Sequence, residues 1–173
     1  DEEMRGAKVT MANQGVFDGY DFAIMIHMNK DNYIYNKSLA LDSYEFKYTG
    51  KPAHAASEPW EGRNALNATR LLFDSVDMMR QHVKDDVKIH GIIQSGGAAS
   101  NIVPELAIAE FTIRSLDRAY LDEVSQWVMD CAKAPAMATR TQLELKQIGE
   151  KYNEQINNEI GSKVLEDIYA RLN

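Results

Sequence analysis

The chain has 173 residues and is poor in several residue types, and each shortage excludes a class of protein. A single cysteine, Cys131, excludes a framework of internal disulfides and is typical of a reducing compartment such as the cytoplasm. The longest apolar run, FAIMIHM, is too short to span a bilayer, and no signal-peptide pattern precedes it, so we expect no membrane partner. With a net charge of −7, the chain also lacks the basic surface that a nucleic-acid partner requires.

The remaining composition is that of an ordinary globular protein. Hydrophobic residues make up 45% of the chain and charged residues 26%, which is enough apolar material for a real core. The first residues, DEEMRGAKV, contain no initiating methionine, and the acidic residues lead directly into a helix pattern. We therefore expect the sequence to come from the middle of a longer chain.

Residues 43–149 carry the periodicities of four strands and two helices in the order β-α-β-β-α-β. Alternating apolar residues predict strands at 43–50, 87–97, 106–115 and 140–149. Helical spacing predicts helices at 62–83 and 116–134, the second capped by Asp117 and ending at Pro135. This order is that of a ferredoxin-like fold of the α+β class. It predicts a four-stranded antiparallel sheet with both helices on one face.

The segments on either side of residues 43–149 have too little apolar material to fold alone. We expect a helix at 4–15, a buried strand at 21–28 in the apolar run, and an amphipathic helix at 159–172. The layout suggests a small domain inserted into a larger α/β catalytic domain. Residues 1–42 would then end the first catalytic segment, and residues 150–173 would begin the second.

Glu2, Glu3 and His27 form the first group that can carry chemistry. A carboxylate and a neutral imidazole are good Zn²⁺ ligands, and a second carboxylate can take a proton from water at the metal. The alternative is structural, because paired glutamates at a helix start complement the helix dipole and a lone strand histidine usually belongs to the core. Spacing alone favours the structural alternative.

His54, in the loop GKPAHAAS, is the second candidate. Small neighbours leave room for a ligand to approach its imidazole, which can then stabilise a developing oxyanion. A histidine that bonds the backbone of its own loop is the alternative.

Asn101 and Arg114 are the remaining candidates. Asn101 is either a turn former or a polar clamp on a ligand. Arg114, at the end of a strand, either pairs with a surface acid such as Asp117 or holds a substrate carboxylate in two hydrogen bonds.

Three ordered motifs resemble those of a known family. DEE…GAKVTMANQGVFDGYDFAIMIH, TGKPAHAASEPWEGRNAL and SGGAASNIVPELAIAEFTIRS occur in this order and with familiar spacing. Together they resemble the aminoacylase/carboxypeptidase-type metallopeptidases, in particular the amidohydrolase branch that includes aminobenzoyl-glutamate hydrolases and hippurate or auxin-conjugate hydrolases. The resemblance implies a catalytic domain with one or two metal ions and an inserted ferredoxin-like lid domain, residues 43–149, that forms a homodimer.

The resemblance also implies a role for each candidate in the catalytic segment. Glu2 corresponds to the general base that activates water, and Glu3 to a metal ligand. His27 corresponds to the ligand histidine at the end of the next strand.

In the lid domain, the resemblance makes His54 the histidine that enters the active site of the partner subunit and polarises the scissile carbonyl. Asn101 and Arg114 correspond to positions that hold the substrate, with Arg114 on its terminal carboxylate.

The sequence departs from the family in its metal ligands. The upstream Cys or His motif and the downstream ligand histidine are absent, which leaves two protein ligands where a catalytic zinc uses at least three. We therefore expect the full-length parent to use Zn²⁺, Mn²⁺ or Co²⁺, and this chain alone to bind none tightly and to be inactive. The parent would hydrolyse the amide bond of N-acyl amino acids, aminobenzoyl-glutamate or dipeptides. The alternative is a non-catalytic ferredoxin-like module for dimerisation or small-ligand binding.

Overall fold

Four antiparallel strands and two long helices form the centre of the molecule, in a computed structural model that describes residues 6–172. In chain order the helices and strands are α1 (Ala7–Asn13), β1 (Ala40–Thr49), α2 (Ala65–Met79), β2 (Lys88–Ser95), β3 (Leu106–Ser115), α3 (Arg118–Thr139), β4 (Gln142–Gln147) and α4 (Glu159–Leu172). Single 3₁₀ turns lie at Pro59–Glu61 and Arg80–His82. The strand order is β2-β3-β1-β4, and every neighbouring pair is antiparallel. The predicted α+β, ferredoxin-like architecture is confirmed.

The core lies between one face of the sheet and helices α2 and α3. Successive residues of β1 alternate between buried and half-buried, because side chains of a strand point to opposite faces in turn. Phe46 of β1 packs edge-on against Phe111 of β3, with ring centroids 5.8 Å apart. The buried Tyr48 hydroxyl donates to the Ala132 carbonyl of α3 at 2.9 Å, and its burial raises the pKa of that phenol. The other sheet face, which we call the open face, carries the half-buried and exposed residues.

Two element boundaries differ from the sequence prediction. Strand β1 begins at Ala40, before residue 43, because Leu41 pairs with Arg114 on one side and bridges to Tyr152 on the other. Helix α3 does not end at Pro135 but continues to Thr139. Pro135 is itself buried, so packing of this turn offsets the hydrogen bond that the proline cannot donate.

The flanking segments agree with the prediction at the helices and disagree at the strand. Helix α1 lies within the predicted range 4–15, and α4 begins and ends as expected. The strand expected at 21–28 is wrong: this run is irregular, with Ile26 84% and Met28 93% exposed. An apolar run becomes a strand only when another strand pairs with it, and within residues 6–172 none does. No helix in that range combines the length and apolarity needed to cross a membrane.

A buried ion pair ties the base of the sheet to α3. Asp42 of β1 is fully buried and accepts two hydrogen bonds from the Arg118 guanidinium, at 2.8 and 2.7 Å. The hydroxyls of Ser125 and Tyr44 donate to the same carboxylate at 3.1 and 3.2 Å. The Lys151 ammonium, in the segment that follows β4, lies 3.5 Å from it. The carboxylate therefore joins the first strand, the second long helix and the chain that leaves the sheet.

Candidate functional site

The loop between β1 and α2 presents His54 and is fixed at its base. Lys51 and Arg63 exchange backbone hydrogen bonds of 3.0 and 2.9 Å, which closes the loop into a narrow neck. Gly50 is required at the entrance, because a Cβ at this position would collide with the Arg63 carbonyl oxygen. The base of the loop is therefore fixed by backbone hydrogen bonds, and its tip is exposed.

A second loop, residues 96–105, lies against the first and brings Asn101 beside His54. The Ala55 N–H donates to the Asn101 carbonyl at 2.9 Å, and the Val103 N–H donates to the Ala53 carbonyl at the same distance. Both His54 and Asn101 are exposed. We call these two residues, with their loops, the His54 end of the sheet.

Small residues leave open space within the second loop. A depression of about 470 Å³ lies there, lined among others by Gly96, Gly97, Ala98 and Ala99. Gly97 has a φ of 122°, a backbone conformation that residues with a Cβ rarely adopt. A small ligand group therefore has room beside the His54 end.

The hydrogen bonds of His54 determine its tautomer. Its Nδ1 accepts from the backbone N–H groups of Ala56 and Ser57, each at 3.2 Å. Nδ1 therefore carries no proton, and in the neutral ring the proton is on Nε2. The local backbone bonds that the sequence offered as a structural alternative thus leave Nε2–H as a donor.

Arg114 lies at the opposite end of the sheet. Strand β3 begins at Leu106, on the same side as the His54 end, and Arg114 is eight residues further along it. A strand rises about 3.4 Å per residue, so the two ends are separated by roughly 27 Å. Arg114 is exposed on the open face, and its guanidinium makes no hydrogen bond or ion pair with any residue in the range 6–172, Asp117 included. Asp117 instead caps α3, where its side chain accepts from the Ala119 and Tyr120 N–H groups.

Two side chains near Arg114 were not singled out as site residues by the sequence. Lys88 of β2 lies directly opposite Arg114, and His90 lies opposite Thr112, the next residue on the open face. Partial burial, then the charges of Arg114 and Arg80, lower the pKa of His90. The alternation of β2 could have revealed both, because Lys88 and His90 lie on the opposite side of the strand from the buried Ile89.

The expected metal ligands are not brought together in the part of the chain that the structure describes. Glu2 and Glu3 lie outside the described residues. His27 is exposed in the irregular segment, and its Nδ1 is 2.8 Å from the Met28 carbonyl. Between residues 6 and 172 no group of three or more His, Cys, Asp or Glu side chains can hold a metal ion. One histidine is too few for a catalytic metal, so the described residues do not fit such a site.

A family model, the peptidase dimerisation domain M20_dimer, matches residues 40–140. The matched segment runs from the first residue of β1 to the residue that follows α3.

Proteins of known activity are similar to almost the whole chain. An Xaa-Arg dipeptidase of Mus musculus is 32% identical over 157 residues, which cover 91% of this chain and 36% of that protein. One of the p-aminobenzoyl-glutamate hydrolase subunits of Escherichia coli K12 is 29% identical over 147 residues, which cover 84% of this chain and 31% of that protein. The chain thus spans about a third of the length of these relatives.

A solved structure of similar fold is the aminobenzoyl-glutamate utilization protein from Klebsiella pneumoniae. It superposes with a TM-score of 0.69 at 21% identity and covers 78% of this chain and 34% of that one. At this level of identity the likeness concerns the fold.

Proposed function

Because the chain belongs to the M20 peptidase dimerisation-domain family, we propose that it is the lid domain and adjoining segments of a metal-dependent amidohydrolase. The parent enzyme hydrolyses the amide bond of N-acyl amino acids, aminobenzoyl-glutamate or dipeptides, as the names of the relatives suggest. We also propose a cytoplasmic location, because the chain has a single cysteine.

The proposal rests chiefly on the geometry of His54. Two backbone N–H groups of the exposed loop donate to Nδ1 and so hold the His54 ring in one tautomer. The Nε2–H group is then free to donate to a ligand. In the reaction, Nε2–H donates to the carbonyl oxygen of the scissile amide as negative charge develops on that oxygen. Asn101, beside it, hydrogen-bonds the substrate, and Arg114 holds its carboxylate in two parallel hydrogen bonds.

The distance between His54 and Arg114 requires two copies of the chain. A separation of roughly 27 Å along β3 is longer than an acyl amino acid, so one copy cannot place both groups on one substrate. We infer that each active site takes His54 and Asn101 from one subunit and Arg114 from the other.

The edge of β2 offers an interface for such a homodimer. Ile92 and Ile93 on this edge are 59% and 43% exposed, whereas β4, the other edge, is shorter and carries Glu144 and Lys146. Short, charged edge strands resist pairing, so β2 is the edge suited to it. Antiparallel pairing of β2 with its copy about a two-fold axis would put the Ser95 end beside the partner's Lys88 end. That arrangement brings the His54 end of one subunit towards Arg114 of the other.

Glu2, Glu3 and His27 keep the roles that the family resemblance gives them, as proposals: general base for Glu2, and metal ligands for Glu3 and His27. The metal of the parent, Zn²⁺, Mn²⁺ or Co²⁺, needs further ligands beyond these.

The experiment is a hydrolase assay on the full-length parent with a panel of acyl amino acids and dipeptides. His54→Ala is expected to lower kcat by about 10²–10³-fold, the usual loss of one oxyanion donor. His82→Ala is the matched control, since His82 is exposed and stacks on Trp127 on the helical side. Equal activity of the two variants would contradict the role of His54, and no hydrolysis of any substrate by the wild type would contradict the proposed function.

A further inference from the structure

Two cations face each other across neighbouring strands at the Arg114 end of the open face. Lys88 of β2 and Arg114 of β3 are directly opposed, so their Cβ atoms are roughly 4.5–5.5 Å apart. Like charges in this position destabilise a sheet. On the other side of Arg114 the opposed residue is Leu41, so β1 provides no carboxylate to balance them.

Two acidic side chains that lie close in sequence to the two cations, those of Asp86 and Asp117, are engaged elsewhere. Asp86 accepts from the Ser115 hydroxyl and the Leu116 N–H, both at 2.8 Å, and Asp117 caps α3. The Lys88 ammonium donates one hydrogen bond, to the Asp85 carbonyl at 2.9 Å, so two of its three N–H groups are available to a ligand. The guanidinium of Arg114 is unpaired among residues 6–172.

Apart from Leu41, the side chains on this part of the open face, those of His90, Thr112 and Ser43, are polar and uncharged at neutral pH. The lowered pKa of His90 keeps its imidazole neutral, and the Thr112 hydroxyl is bonded to Ser43 at 2.8 Å. Lys88 and Arg114 are therefore the only charged residues among these neighbours on the described open face. A folded protein retains such an unfavourable pair of like charges mainly where its function uses the pair.

We propose that Lys88 and Arg114 form a dicarboxylate site that selects substrates whose amino-acid part has an acidic side chain. Arg114 binds the α-carboxylate, as in the proposed function on which this inference rests, and Lys88 binds the side-chain carboxylate. His90 lines the same site as a neutral hydrogen-bonding group. An amino acid with a cationic side chain is repelled by Lys88.

The test compares N-acyl-glutamate with N-acyl-glutamine and N-acyl-arginine as substrates of the full-length parent. Glutamine has nearly the shape of glutamate without the charge. The wild type is expected to show a kcat/KM for acyl-glutamate about tenfold or more above that for acyl-glutamine, since a hydrogen bond between charged groups supplies this much. Acyl-arginine is expected to be the poorest substrate of the three.

Lys88→Gln is expected to bring the glutamate-to-glutamine ratio of kcat/KM close to one by lowering the acyl-glutamate value, and Lys88→Arg is expected to keep the preference. Lys47→Gln is the matched control, because Lys47 is a lysine of the same open face that pairs with Glu144 at 3.0 Å. A wild type without preference for glutamate, or a Lys88→Gln variant that keeps it, would overturn the inference. If the enzyme is active, either result overturns only the inference and leaves the proposed function standing. The same holds for a wild type that cleaves none of the three substrates but hydrolyses other amides.

Discussion

Because the Asp42 carboxylate is buried and paired with Arg118, we expect its replacement to lower the stability of the fold. This can be tested on this chain without any knowledge of its substrate. In Asp42→Asn the shape of the side chain is kept, so no cavity forms, but the negative charge is lost. The amide NH₂ then faces the Arg118 guanidinium, donor against donor, where the carboxylate had accepted two bonds at 2.8 and 2.7 Å.

The size of the loss follows from the surroundings of Arg118. Breaking a buried ion pair by removing one partner costs about 3–5 kcal/mol. The Arg118 side chain is 17% exposed and has a second carboxylate, Asp122, at 2.7 Å, so we expect the lower end, about 3 kcal/mol. For a domain with a stability of about 5–15 kcal/mol this is a large fraction.

Urea unfolding followed by circular dichroism measures this effect. With a slope of about 2 kcal/mol/M, the midpoint is expected to fall by about 1.5 M. Asp130→Asn is the control, because Asp130 makes comparable contacts with Lys133 and Gln126 on the surface and its loss should leave the midpoint unchanged. If Asp42→Asn unfolds at the same urea concentration as Asp130→Asn, the reasoning about the buried pair is refuted.

Two further predictions concern pH and metal. The Leu116 N–H and then the Ser115 hydroxyl lower the pKa of Asp86, so its contribution to stability is complete above the ordinary aspartate pKa of about 3.9 and is lost as the pH falls through its folded value. Asp86→Asn should therefore be less stable than wild type by about 1 kcal/mol between pH 5 and 7, and the difference should vanish on further acidification; a difference that persists in acid would contradict the assignment. In a colorimetric titration, the 173-residue chain should show no stoichiometric sub-micromolar Zn²⁺ binding, since the two proposed ligands, Glu3 and His27, are fewer than the three or more required, and such binding would refute the ligand count.

The order of elements was predictable because each one carries its period in the sequence. Strand β3, Leu106–Ser115, alternates without interruption and was predicted to the residue. The strand predicted at 21–28 is wrong, because a strand also needs a partner, and sequence periodicity says nothing about whether one is present. The helix end predicted at Pro135 is wrong for a similar reason. A proline ordinarily ends a helix, but here the tertiary packing of the buried Pro135 allows α3 to continue.

The candidate site was only partly predictable. The residue types of His54, Asn101 and Arg114 pointed to polar chemistry, but the tautomer of His54 depends on two backbone N–H groups that only the folded turn aims at Nδ1. The pairing of Lys88 with Arg114 depends on the register of two strands, which a single sequence specifies weakly.

The composite active site is the central claim, and subunit mixing in the full-length parent tests it most directly. His54→Ala and Arg114→Ala are each expected to be inactive as homodimers. Half of the dimers in an equal, fully exchanged mixture are mixed, and each contains one site with both intact residues, so activity should recover to about a quarter of wild type. A mixture of His54→Ala with Asn101→Ala should recover nothing, because the structure puts both residues at the same end of one subunit. No recovery in the first mixture, with mixed dimers demonstrated, would contradict the account.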